Sequence, residues 1–169
     1  MGHGNPGMLR VRNIHERAFP VSPDRVGVLL DSLASRDDLL WPSGVWPRMK
    51  LDRPLSVGAR GGHGPIRYTV EAYTPGRSVR FRLLGPKGFD GYHSFDILET
   101  ADHTTLLRHT LEMTPRGRAM VTWPLVFRPL HDALVEDSLA RADASLGCTA
   151  RVRRWSSWVR LLRWALSSR

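Results

Sequence analysis

Apolar and polar residues alternate in short runs from Met49 to Thr114. The alternation predicts strands at Met49–Leu51, Ser56–Arg60, Ile66–Tyr73, Ser78–Leu84, Tyr92–Glu99 and Thr104–Thr114. The separators "GGHGP", "TPG", "GPKGFDG" and "TADH" are turn-like, and consecutive strands joined by short turns make an antiparallel meander. Upstream, Leu9–Phe19 also alternates, but both parities carry polar residues, so its inward face stays open. With it the sheet counts about six or seven strands.

The period changes in two places. In "VSPDRVGVLLDSLAS", Val26, Leu29, Leu30 and Leu33 follow helical spacing; Ser22 can cap, Pro23 suits the first position, and Asp24 favours the first turn. A second short helix is predicted over Asp37–Trp41, ended by the prolines of "WPSGVWP". Near the C-terminus, "AMVTWPLVFRPLHDALVEDSLARADASLG" predicts a long helix, with Thr122 as a cap, a kink or restart at Pro129 and a stop at Gly147. Its apolar arc holds Phe127, Leu134, Val135, Leu139, Ala142 and Leu146, while Asp132, Glu136 and Asp143 fall on the far side. A curved sheet with one apolar face needs a cover, and this helix supplies it. The fold class is α+β.

Composition narrows the setting. The 169 residues suit one domain, and 41% hydrophobic residues provide a core. No apolar run is long enough to span a bilayer, the N-terminus lacks a signal-like apolar stretch, and Cys148 is the single cysteine. A cytoplasmic protein is expected, in which residues 1–8 are a loose N-terminus, 9–147 the domain and 148–169 a basic tail. The net charge is +9, of which the six arginines between Arg151 and Arg169 supply +6.

Two predicted inner faces carry histidines: His93 with Phe95 and Ile97, and His109 with Leu107, Leu111 and Met113. A three-residue loop, Thr100–Asp102, would set His93 opposite His109; a slip of two residues would make them diagonal neighbours. His131 falls near the middle of the helix's apolar arc, beside Ser138, and Tyr68 shares a face with Ile66 and Val70. A buried neutral imidazole needs a hydrogen-bond partner. It can find one in backbone or water, as a satisfied core residue. It can also be the polar contact that orients a molecule in an apolar pocket. In the second reading Tyr68, His93, His109 and His131 are the polar contacts, and Phe81, Phe95, Leu107, Leu111, Val135 and Leu139 supply the apolar surface.

Other chemistries find less support. No HxH or HxxxH pair occurs and no carboxylate is predicted on the same inner face, so neither a metal nor another cofactor is expected. "GxSxG" is absent, and Cys148 follows a helix-ending glycine rather than a base. "GARGGHGPIRY" lacks GKS or GKT and a following helix, so it reads as a flexible hairpin loop at a cavity rim, where His63 could gate access.

The segments "FPVSPDRVGVLLDS", "YTPGRSVRFR", "YHSFDILETADHTTLLRHTLEM" and "WPLVFRPLHDALVEDSLARADASLG", in this order, resemble the START-like superfamily, also called SRPBCC. That superfamily includes polyketide cyclases and aromatases, lipid-transfer domains and plant pathogenesis-related proteins. The resemblance runs from about Leu9 to Gly147. It implies a helix-grip fold, in which the sheet curls around the long helix and encloses a cavity for lipids, sterols or polyketides. The superfamily has no universal catalytic motif, so the resemblance transfers no catalytic residue. A binding or carrier protein for a small hydrophobic molecule is the first expectation. A polyketide cyclase or dehydrase using His93 or His109 as general base, with Tyr68 as donor, is the second.

The tail "RVRRWSSWVRLLRWALSSR" projects as an amphipathic basic helix. Arg153, Arg154, Trp155, Trp158, Arg160, Leu162 and Arg163 have the composition of an interfacial membrane segment, suited to an anionic surface. Packing on the domain itself or on a partner is the competing reading, and nucleic acid fits the large apolar bulk less well.

Overall fold

The computed structural model describes residues 10–100, 102 and 104–167; the expected loose segment 1–8 and His103 lie outside the described residues. Seven strands form one antiparallel sheet: β1 (Val11–Phe19), β2 (Lys50–Leu51), β3 (Arg60–His63), β4 (Ile66–Thr74), β5 (Ser78–Gly85), β6 (Phe89–Glu99) and β7 (Thr105–Pro115). Their order is β1-β7-β6-β5-β4-β3-β2, a meander closed at one edge by the first strand. Helix α1 (Pro23–Asp31) follows β1. The long helix comprises α2 (Ala119–Thr122), a π-helical turn (Trp123–Phe127) and α3 (Arg128–Ser145), and α4 (Ser157–Ser167) ends the described chain. This is the helix-grip arrangement, with Phe19, Val70, Phe81, Phe95, Leu107 and Leu139 buried between sheet and helices.

Several local expectations are corrected. Residues 37–41 form turns rather than a second helix. The Asp38 carboxylate accepts the backbone N–H groups of Ala34, Leu40 and Trp41 at 2.7–2.9 Å, which competes with helical bonding. The strand expected at Ser56–Arg60 is shifted to Arg60–His63, because the glycines are not loop residues. A Cβ at Gly61 would strike the Lys50 carbonyl, and one at Gly62 the Ile66 carbonyl, so only glycine lets β2, β3 and β4 approach this closely. Ser22 stands at the α1 N-cap without a side-chain cap bond. Thr122 does not start the long helix, which already begins at Ala119 and passes Pro124 and Pro129 through the π-helical turn.

The β1 ambiguity resolves into a polar seam. Asn13, His15 and Arg17 face inward and meet Asp132, Glu136 and Asp143, which the sequence placed on the solvent side of the helix. Asp143 is 0% exposed and pairs with Arg17, while the Arg151 side chain and backbone N–H bind it at 3.3 and 3.1 Å. Burial alone would raise the Asp143 carboxyl, but these bonds outweigh it and hold it below the usual range. The far side of α3 is thus covered by β1 and by the start of the tail.

Candidate functional site

A cavity of about 360 Å³ opens between the sheet and α3. At the packing density of protein interiors it would hold on the order of 15–20 non-hydrogen atoms. Six expected contact residues line it: His93, Phe95, His109, Leu111, His131 and Val135. Four do not. Tyr68, Phe81, Leu107 and Leu139 are 0% exposed and lie behind the wall as core. Sequence reasoning missed Trp41, Trp46, Trp123, Phe89 and Leu134, which also line it, and placed His63 only at the rim. Leu134 belongs to the periodic apolar arc of the helix, whereas the aromatic-rich "WPSGVWP" loop, the "GPKGFDG" turn and the π-helical turn carried no periodic signal from which Trp41, Trp46, Phe89 and Trp123 could be read.

The histidine pairing is corrected by two residues. Phe95 pairs with His109 and His93 with Leu111, because Thr100 N–H bonds the Thr104 carbonyl at 3.0 Å, which adds a rung to the ladder and centres the turn one residue later than expected. His93 and His109 are therefore diagonal neighbours, with ring centroids 5.6 Å apart. His131 reaches down from α3 to within 5.0 Å of the His109 ring. On the other side the His93 ring lies 5.1 Å from Tyr68, whose hydroxyl meets His63 Nδ1 at 3.2 Å. His63 in turn lies 4.6 Å from Trp41. Four cavity imidazoles and one buried phenol thus run in a row through an aromatic wall.

Most of that row lacks protein partners. Both nitrogens of His93, both of His131 and Nδ1 of His109 are buried with no hydrogen bond among the described residues. Each buried unpaired polar group costs roughly 1–3 kcal/mol, so five such nitrogens, left unpaired, would rival the whole stability of a domain. Burial holds His93 and His109 well below their ordinary pKa, with the other histidines adding to the effect. His63 is pushed down to about 3 by burial, and His131 is also lowered by burial despite Asp132. Burial raises the Tyr68 hydroxyl. Neutral imidazoles each offer one N–H donor and one acceptor nitrogen. The apolar cavity therefore presents donors and acceptors together.

His15 behaves in the opposite way at the end of the row. Its Nδ1 lies 2.8 Å from Glu136 and its Nε2 3.2 Å from Asp132. Burial alone would lower its pKa, but the two carboxylates outweigh burial and raise it. Asp132 Oδ1 also approaches His131 Nδ1 at 3.6 Å, beyond hydrogen-bond reach. The expected absence of a carboxylate near the histidines is thus corrected. His15, His131 and Asp132 bring ligand-type atoms within 4.8 Å of one another. The double ion pair of His15 accounts for this group as a salt-bridge cluster.

The tail packs on its own domain. The Trp155 and Trp46 indoles both donate to Asp137 Oδ2, at 2.9 and 2.7 Å. Arg163 stacks on both rings, 4.0 Å from Trp155 and 4.4 Å from Trp46. The Leu125 carbonyl, which Pro129 cannot bond in α-helical fashion, accepts the Trp158 indole N–H at 2.8 Å. Of the residues expected on a membrane surface, Trp155, Leu162 and Arg163 are therefore partly buried against the domain, whereas Arg153, Arg154, Trp158 and Arg160 are exposed. Among the described residues of the tail, only Ser157–Ser167 is helical. Among the described residues no helix is long and apolar enough to cross a membrane.

No family model matches the chain, and no curated protein matches it in sequence. Solved structures do match in shape. A protein of Nitrosospira multiformis aligns with a TM-score of 0.60 at 16% identity, covering 89% of this chain and 99% of that one. A truncated norcoclaurine synthase from Thalictrum flavum aligns at 0.59 and 14% identity, covering 83% and 96%. CalU16 from Micromonospora echinospora aligns at 0.50 and 14% identity, covering 80% and 86%. At these identities the likeness is one of fold, and the chain shares the helix-grip fold of these proteins.

Proposed function

We propose that the protein binds and carries a small, mainly apolar molecule of lipid- or polyketide-like size in the cavity between sheet and α3. The observation that carries this reading is the set of buried, unbonded nitrogens on His93, His109 and His131, three residues that line an otherwise apolar cavity. Apolar burial supplies affinity at about 25 cal/mol per Å² before ordering costs, and the imidazoles orient the bound oxygens. The ligand then needs at least one hydroxyl-type donor and one carbonyl-type acceptor on an apolar body. The single cysteine agrees with a reducing, cytoplasmic setting.

Trp41, Trp46 and Trp123 line the cavity and give a direct assay. Anthracene, anthraquinone and anthraflavic acid (its dihydroxy derivative) share one ring skeleton and carry no oxygen, acceptors only, and both donors and acceptors. The reading expects saturable tryptophan quenching, with anthraflavic acid tightest, by about tenfold per hydrogen bond gained. Absence of saturation with all three, and with palmitate as competitor, would reject the cavity as a binding site.

A second reading is enzymatic. Norcoclaurine synthase shares the fold and is an enzyme by name, so the fold does not choose between carriage and catalysis. The observation in its favour is that burial keeps His93 and His109 neutral, each with a lone pair free to take a proton. A cyclase or dehydratase would use one of them as general base. Tyr68 is a weaker donor in this reading, because its hydroxyl is bonded to His63. Replacing His93 and His109 together by Gln separates the two: a carrier keeps most binding, whereas a cyclase binds substrate but loses turnover.

A further inference from the structure

α4 and the segment formed by α2 and the π-helical turn make one side of the cavity through Arg163, Leu166, Trp123 and Phe127, and their outer surfaces remain exposed. Those surfaces are apolar. Met120, Val121 and Leu125 are 51%, 60% and 56% exposed, and Trp158, Leu161 and Trp164 are 47%, 50% and 69% exposed. The bond from the Trp158 indole to the Leu125 carbonyl joins the two elements. Val121 and Leu125 lie one turn apart, as do Trp158 and Leu161, so each element contributes a stripe to one patch. Scattered exposed hydrophobic residues are ordinary, but a contiguous patch beside a cavity mouth marks an interaction surface.

Charge identifies the partner. Residues 116–131 and 148–167 contain no Asp or Glu. Arg118, Arg153, Arg154 and Arg160 on these segments are exposed and make no ion pair among the described residues. Large apolar side chains ringed by unpaired arginines match an acyl boundary under anionic headgroups. Phosphate of a nucleic acid would satisfy the arginines and leave the tryptophan and leucine surface wet.

We propose that this patch docks the protein on an anionic lipid bilayer, with the outer stripe of α4 in the interface and the cavity mouth turned towards lipid. Of the large apolar residues that the sequence suggests for a membrane surface, only Trp158 lies on this stripe, because Trp155, Val159, Leu162 and Arg163 are occupied in holding α4 to the domain. The proposal concerns the outside of α4 and stands whether or not the cavity holds a ligand.

The test is co-sedimentation of the full chain with phosphatidylcholine vesicles, with and without phosphatidylserine. Binding should require phosphatidylserine and weaken with salt. The Arg153→Gln/Arg154→Gln/Arg160→Gln variant should bind about 100-fold more weakly, since each arginine near the surface contributes roughly a factor of five. Leu161→Asp and Val121→Asp, at exposed positions that leave the core untouched, should each weaken binding at least tenfold and leave quenching of the cavity tryptophans by anthraquinone unchanged. Failure to sediment with phosphatidylserine vesicles, equal binding to neutral vesicles, or unaltered binding by the variants would overturn the proposal. So would a dimer, seen by sedimentation velocity, that Leu161→Asp dissolves while vesicle binding is absent.

Discussion

Acidification from neutral pH to about pH 5 should destabilise the protein by several kcal/mol, and the loss should come from the cavity imidazoles. In the unfolded chain a histidine titrates near 6.5, whereas burial keeps His93 and His109 neutral far below that value. Below about pH 6.5 the unfolded state therefore binds protons that the folded state refuses, and stability falls as pH falls. At about pH 5 each such histidine costs roughly 2 kcal/mol, so the pair costs about 4 kcal/mol out of the 5–15 typical of a domain. His63 and His131 act in the same direction. His15 acts in the opposite one, because its raised pKa gives stability that is complete below about 6.5 and fades as pH rises through the folded value. Asp132 and Asp143, held low, lose their contribution chiefly below about pH 4, while Asp38, raised by burial, acts in the same direction as His15. Urea unfolding followed by circular dichroism at neutral pH and at about pH 5 measures the difference, with a constant slope confirming that only stability has changed. His93→Phe/His109→Phe should remove about 4 kcal/mol of the pH dependence and leave the share that His63 and His131 contribute. Equal stability at both pH values, or a full pH dependence in the double variant, would refute the argument.

Three further outcomes follow from the packing. Leu139→Ala removes a fully buried side chain between helix and sheet and should cost roughly 2–5 kcal/mol in thermal or urea unfolding. Arg17→Met deprives the buried Asp143 of one of its two guanidinium partners and should cost about 3 kcal/mol, leaving the acid branch of the stability profile shallower, because the folded carboxyl is held less far below its unfolded value. Leu130→Trp places an indole into the cavity from a partly buried lining position; anthraquinone quenching should weaken at least tenfold while the unfolding midpoint changes little.

Periodicity made the sheet legible, because one face of each central strand meets the core and the period of two survives in β4 to β7. It also placed His131 on the sheet-facing side of α3. It failed where a face is buried without being apolar. Polar residues on both parities left the inward face of β1 open, and Asp132, Glu136 and Asp143 looked like a solvent face, yet Asn13, His15 and Arg17 meet those acids across β1 and α3. Opposite charge at matching intervals on two elements was the available signal, and no single segment contains it. The two-residue register error at His93 arose from the turn: Thr100 and Thr104 bond each other through backbone and hydroxyls, which moves the turn one residue along the chain. Four expected contact residues lie behind the wall because facing inward places a side chain on the right side of the sheet without saying whether another side chain covers it. Tyr68 and Phe81 share such a layer, their rings 5.0 Å apart.

The most direct test of the central claim is native mass spectrometry of gently purified protein, followed by solvent extraction of whatever accompanies it. The account predicts a co-purifying molecule of on the order of 15–20 non-hydrogen atoms, apolar but bearing hydroxyl and carbonyl oxygens, whose retention falls in the His93→Phe/His109→Phe variant. A clean apo mass, together with no uptake of anthraflavic acid or palmitate, would contradict it and return the three histidines to the ordinary core.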